Sequence, residues 1–305
     1  MISRIFFLLL CPLFALVSCA TGPKQIKELD STEKNFALFS ADASVYLAID
    51  TVDTVQTRAL VDTVISSFST LDDKRQKQIL DKTKTIYMAL YNDDDDGQKN
   101  RWTAMLRGGG YPALTSALGL SLSSGWKKIK DPAWGDYWQS ASGDINLAIG
   151  QEAVIISTGA LQTNESAAQV PQAFLEFQNG AAISGWLPSV GFLQTFLSSS
   201  GIPIQVPAKE ILFAMRPASG LGDEGGVYET SFRLEMQNAS AAKGIAAMLA
   251  FARMGGTPRL APQLQMLYDI FFAATPRVEG SALLLDGGTM SADQITRLIL
   301  FFSLQ

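Results

Sequence analysis

The 305-residue sequence contains no histidine and only two cysteines, Cys11 and Cys19. Without histidine the chain lacks the commonest general base near neutral pH and the commonest metal ligand. Cys11 sits inside a hydrophobic N-terminal run that reads as an export signal, so a mature chain would keep one sulfhydryl. That leaves no disulfide framework, no thiolate nucleophile and no cysteine-based metal site. Charged residues make up only 17% of the chain, and basic ones are in the minority. This disfavours nucleic acid, or an anionic surface, as a partner held by charge. No catalytic pair of carboxylates stands out either, so the expectation is a protein that is not an enzyme and has no cofactor.

What is present begins with Met1-Ile2-Ser3-Arg4 and an almost wholly apolar stretch from Ile5 to Val17. About a dozen apolar residues are too few to cross a hydrocarbon layer that needs roughly 20, and the flanks are those of a secretory signal. Two cleavage readings compete. Ser18-Cys19-Ala20 satisfies the small-x-small rule of ordinary signal peptidase. Leu16-Val17-Ser18-Cys19 reads as a bacterial lipobox, in which the Cys19 thiol receives a diacylglyceryl group and cleavage falls just before it. Several acyl chains on one residue give stable anchoring where a single chain would be marginal. Residues 1–18 are then the lipoprotein signal peptide. Arg4 leaves with it, so 23 basic residues face 29 acidic ones, a net charge of −6 on 287 residues.

Residues 19–40 read as a lipidated tether, polar with one Gly-Pro step. Beyond it one arrangement occurs twice, over 41–178 and 179–305. The first copy runs from a strand "SVYLAID" to a helix with Val61, Val64, Ile65 and Phe68 on one face. The polar helix "DDKRQKQILDK", a hairpin of "KTIYMALY" and "RWTAMLRG", a helix at 111–120, and strands near "DYWQSA", "DINLAIG" and "EAVIIST" follow. The second copy runs from "AAISGWL" through the helix "SVGFLQTFLSS" to a hairpin of "KEILFAM" and "GVYETSFRLEMQ". A helix that Ser240 would cap follows, then another at about 263–274, the strand "EGSALLLDGG" and a terminal helix. The fold class expected is α+β: two similar strand-helix-hairpin-helix-strand halves, packed as one body, with helices layered on largely antiparallel sheet.

Several motifs point to chemistry and then fail. Asn92, Asp94, Asp96 and Gly97 fit the first positions of a calcium loop, but the bidentate Glu is replaced by Thr103, so Asp-Gly reads as a hairpin turn. Gly220, Gly222 and Gly225 have dinucleotide-fingerprint spacing, yet they lead into a strand where a helix N-terminus is needed. The Arg107-Gly108-Gly109-Gly110 stretch reads as a flexible strand-to-helix turn. No metal site is expected.

The apolar helices of the second half are the feature left over. The terminal helix opens with a Ser291-x-x-Gln294 capping box and puts Ile295, Leu298, Ile299 and Phe302 on one face. Leu300, Phe301 and Leu304 widen that stripe. In "GIAAMLAFARM" the face of Ile245, Met248 and Leu249 is joined by Phe251 and Met254 on other sides, and "LQMLYDIFFAA", with Phe271 and Phe272, is as apolar. Helices apolar nearly all round need an apolar environment: a core between layers, a lined cavity, or a bilayer surface. The candidate lipid or membrane contacts are thus Leu249, Phe251, Phe271, Phe272, Leu298, Phe301 and Phe302. The aromatics Trp126, Trp134, Tyr137 and Trp138 admit the same three readings.

With Leu16 to Cys19 and these helices together, the chain resembles spirochaete outer-membrane lipoproteins that combine an α/β/α body with amphipathic helices. It is similar, more distantly, to acyl-chain-carrying lipoproteins of mycobacterial envelopes. The resemblance implies lipid binding or membrane insertion. The reading is a non-enzymatic envelope lipoprotein, held at the outer membrane on its periplasmic side by acyl chains on Cys19, whose body binds lipid or another apolar ligand between sheet and helices. The alternative is an anchored subunit that docks on a protein partner.

Overall fold

The run VYLAID, Val45–Asp50 (β1), is buried at five of its six positions. Strand side chains point alternately to opposite faces, so a strand buried throughout is covered on both. The computed structural model describes residues 31–51, 73–91, 101–111, 125–131, 135–159, 161, 167–191, 194, 205–218, 226–254 and 273–297. In it β1 lies near the middle of a twelve-stranded antiparallel sheet. The first half of the chain also supplies Thr83–Tyr91 (β2), Arg101–Gly108 (β3), Lys127–Asp131 (β4), Gly135–Gln139 (β5), Asn146–Ile149 (β6) and Ala153–Ser157 (β7). The second supplies Ile183–Leu187 (β8), Ala208–Pro217 (β9), Val227–Met236 (β10), Thr275–Glu279 (β11) and Ala282–Ser291 (β12).

The order is β11-β12-β10-β9-β8-β1-β2-β3-β7-β6-β5-β4. Read outward from the β1–β8 seam, both halves repeat one pattern: a first strand, a hairpin, then a second hairpin that adds its later strand first. β4 and β5 extend only the first half. At the seam Leu47 lies opposite Gly185 and Tyr46 opposite Trp186. A side chain at Gly185 has no room, since a Cβ there would stand 2.3 Å from the Tyr46 carbonyl oxygen and 2.5 Å from Cζ of Phe213.

Helices cover both faces. Thr32–Phe36 (α1) and Gln172–Phe177 (α3) lie over Tyr46, Ala48, Tyr87 and Trp186, where Trp186 stacks on Tyr46 at 4.3 Å between ring centroids and meets Phe36 edge-on at 4.6 Å. On the opposite face Asp73–Leu80 (α2) contributes Ile79 and Leu80, and the helix described over 292–297 (α5) contributes Ile295, to a core around Leu47, Ile49, Ile86 and Leu106. Farther along that face Ala239–Met254 (α4) packs on Ile211, Leu234, Leu283 and Leu285. This is the α+β class read from the sequence: a large antiparallel sheet with few helices.

Three expectations need correction. The tether does not run to residue 40: Ser31 caps α1 through its hydroxyl, and Phe36, Leu38 and Phe39 are buried in the core on the face of the sheet that α1 covers. Three apolar residues in a polar stretch are too few to register as a period, yet they fill the largest aromatic cluster of that face. α4 is capped not by Ser240 but by Asn238, whose Oδ1 accepts from the Ala241 amide at 2.9 Å. And β4 (KKIKD) and β11 (TPRVE), stretches to which no element was assigned, are the two outermost strands of the sheet, where lysine and proline are the expected residues. The helices expected around Val61–Phe68, 111–120, 189–199 and 263–274 lie largely or wholly outside the described residues, as do the Asp93–Asp96 loop and Gly220–Gly225.

Candidate membrane-contact site

Sixteen residues long, α4 has two chemically similar sides with opposite fates. A helix advances about 100° per residue, so positions three and four apart share a side. Ala242 is fully buried, and Ala241, Ile245, Ala246 and Leu249 are half-buried against the sheet. The other side carries Lys243, Gly244, Ala247, Met248, Phe251 and Met254, all exposed. Three of these are large and apolar: Met248 is 63% exposed, Phe251 73% and Met254 78%. Among the described residues no other large hydrophobic side chain is so exposed. An outward stripe of this kind is a candidate for contact with something apolar.

The structure thus separates two residues that the sequence put together. Leu249 is a core residue, turned to the sheet, whereas Phe251 stands about 200° away on the open side. Met248, expected beside Ile245 on the packing face, is instead part of the open stripe, and Met254 belongs with it. The signal that could have made this division was weak, because alanines lie on both sides of the helix and its hydrophobic residues point no single way. Of the other candidates, Cys19, Phe271, Phe272, Leu298, Phe301 and Phe302 lie outside the described residues. What is described of α5 shows its capping box made as read: the Gln294 side chain accepts from the Ser291 amide at 2.8 Å, and the Ser291 hydroxyl accepts from the Gln294 amide at 3.2 Å. Ile295 points inward to the core.

The aromatics do not form one cluster. Trp126 and Trp138 are half-buried on the face that α2 covers, alongside Trp102, while Tyr137 packs on the opposite face; Trp134 lies outside the described residues. A cavity of about 580 Å³ lies on the face opposite α4, between β1, β8 and the turn after α3. Its lining includes Asp50, Glu176, Gln178, Asn179 and Ser184, so its chemistry is hydrophilic and it is not the apolar chamber expected between sheet and helices.

On that face the segment following α1 is clamped down by two buried phenols. The Tyr91 hydroxyl accepts from the Ser40 amide at 3.3 Å, and the Tyr46 hydroxyl donates to the Ser40 carbonyl. Arg101 lies 5.0 Å over the Tyr91 ring and reaches Asp42 at 3.8 Å. Burial pushes the Tyr91 phenol up to about 12, and burial, with Tyr91 as a lesser cause, raises Tyr46 further. Among the described residues no group of three or more acidic, cysteine or histidine side chains is placed to hold a metal, and no helix is long and apolar enough to cross a membrane.

The family described as "Outer membrane-associated lipoprotein TP0453" matches residues 30–170. No curated protein matches the sequence. Solved structures of TP0453 share the fold. Crystal form I is 16% identical, with a TM-score of 0.57, and the match covers 88% of this chain and 96% of that one. Crystal form III is 17% identical at the same TM-score, covering 87% and 96%, and crystal form IV is 16% identical at 0.57, covering 92% and 97%. At such identities the structures establish the fold alone, while the sequence match supports an envelope location and association with the outer membrane. Sequence match and shared fold together set this chain beside the outer membrane-associated lipoproteins, of the spirochaete kind that it resembles.

Proposed function

We propose that the protein is a non-enzymatic envelope lipoprotein, anchored by acyl chains on Cys19, whose body binds lipid through the open side of α4. The observation that carries this reading is the row of Met248, Phe251 and Met254, 63–78% exposed along one side of a helix whose other side already packs on the sheet. Each such side chain gains about 1.5–3 kcal/mol when fully moved from water to an apolar medium. Three on one stripe outweigh a weak charge contribution, so the contact needs no anionic headgroup. An acyl anchor raises the local concentration of bilayer around the body, and a shallow apolar stripe then suffices to seat it. The hydrophilic lining of the described cavity favours this surface contact over a ligand enclosed between sheet and helices.

Flotation of the mature chain carrying Cys19→Ser on phosphatidylcholine vesicles tests the reading. The chain floats, and Met248→Ser/Phe251→Ser/Met254→Ser lowers flotation at least about tenfold while leaving the folded state intact. Equal flotation of the two chains, or none of either, sinks it. A stable complex with a second envelope protein that the same triple substitution dissolves, without vesicle binding, would establish the docking alternative instead.

A further inference from the structure

The sulfur atoms of this chain are unevenly placed. Seven methionines lie among the described residues. Met88, Met105, Met215, Met236 and Met290 are between 0% and 5% exposed, whereas Met248 and Met254 are 63% and 78% exposed. The only mature thiol, Cys19, is blocked on the lipobox reading. The two open thioethers are therefore the most accessible oxidisable sulfurs the described structure offers, and they stand three residues to either side of Phe251 on one helix side.

We propose that Met248 and Met254 are an oxidation site through which peroxides release the body from the bilayer, an inference that rests on reading the α4 stripe as the lipid contact. A thioether sulfur lone pair attacks one peroxide oxygen, the O–O bond breaks and a sulfur–oxygen bond forms; the transferred oxygen then gives up its proton to the departing hydroxide, which leaves as water. Sulfur loses two electrons and hydrogen peroxide gains them. The sulfoxide is polar and accepts hydrogen bonds strongly, so carrying it out of water opposes insertion where the thioether favoured it. Both oxygens would appear on the same stripe, beside Phe251. The change is reversible by methionine sulfoxide reductases. The five buried methionines have no comparable access to a peroxide and act as internal controls.

The mature Cys19→Ser chain is treated with millimolar hydrogen peroxide and followed by peptide mass spectrometry and by flotation on phosphatidylcholine vesicles. The tryptic peptides 244–253 and 254–259 should each gain one oxygen before the peptides holding Met105 or Met290 gain any. Flotation should fall at least about tenfold as they do. Met248→Leu/Met254→Leu, which keeps the apolar volume but has no sulfur on the stripe, should retain after peroxide the same flotation that it shows before treatment. Full oxidation of both peptides with unchanged flotation overturns the inference, as does oxidation of buried methionines first, or equal loss of flotation by the leucine chain. Failure of the untreated chain to float overturns the membrane reading itself, and this inference with it.

Discussion

At the scale of single residues, the most useful lesson lies in two neighbours on α4. Leu249 and Phe251 are equally hydrophobic and two positions apart, yet one supports the fold and the other faces outward. Truncating them should therefore separate stability from lipid contact. Leu249→Ala removes half-buried atoms against Leu283 and Leu285 and should lower unfolding free energy by about 1–2 kcal/mol, read as a lower urea midpoint. Phe251→Ser should leave that midpoint within about 0.5 kcal/mol of native, because its side chain touches little in the folded chain. A large destabilisation by Phe251→Ser would mean that something covers it, and the stripe would not be open. Sequence alone could not tell these two apart. Periodicity identifies a side when one side is polar, and here both sides carry alanine and larger apolar residues. The Ser291–Gln294 box, by contrast, was legible because both of its partners lie within one turn and need nothing from the rest of the chain.

At the scale of elements, the segment Ser31 to Ala43 shows how a short, mostly polar stretch can be structural. Phe36 packs against Tyr87 and Trp186, and the phenols of Tyr91 and Tyr46 hold Ser40 by its amide and its carbonyl. This attachment has a pH limit. The Tyr91 phenol, raised to about 12 by burial, is neutral in the fold and ionises more readily once unfolded, near its ordinary value of 10. Its contribution is thus fully present below pH about 10 and is lost as pH rises through about 12. Tyr46 shifts in the same direction. Alkaline titration followed at the phenolate absorption band should show late-titrating tyrosines that are released together with tertiary structure above pH about 11. Tyr91→Phe should remove part of that late step and leave the acid side of the stability profile unchanged. The hairpins of β2–β3 and β9–β10 were readable in advance because their apolar runs are long and bounded by turn residues. β4 and β11 were not, since an outer strand is short, polar and half-solvated, and its sequence resembles loop for the same physical reason that it is safe as an edge.

At the scale of the whole molecule, one seam decides whether the two halves form one sheet. β1 and β8 pair antiparallel, and the chain passes so close at Gly185 that hydrogen alone fits between the Tyr46 carbonyl and the Phe213 ring. Gly185→Ala should lower unfolding free energy by about 1–3 kcal/mol, since the nearest obstacle is backbone and cannot swing aside. An unchanged urea midpoint would show that the seam relaxes more easily than its close packing implies. The α+β class was legible from the strand runs. The seam was not, because pairing between the first strands of each half is a contact across well over a hundred residues, and no local pattern announces it.

The outermost strands have a consequence for a chain confined to a lipid surface. Copies that share a plane meet edge to edge far more often than copies in solution, and an open sheet with bare ends could add its neighbour strand by strand into a ribbon. Lys127, Lys128 and Lys130 on β4 set like charges along one end, and Pro276 removes a backbone donor from β11 at the other. Crowding would thereby leave the molecules side by side as separate twelve-stranded units, free to diffuse.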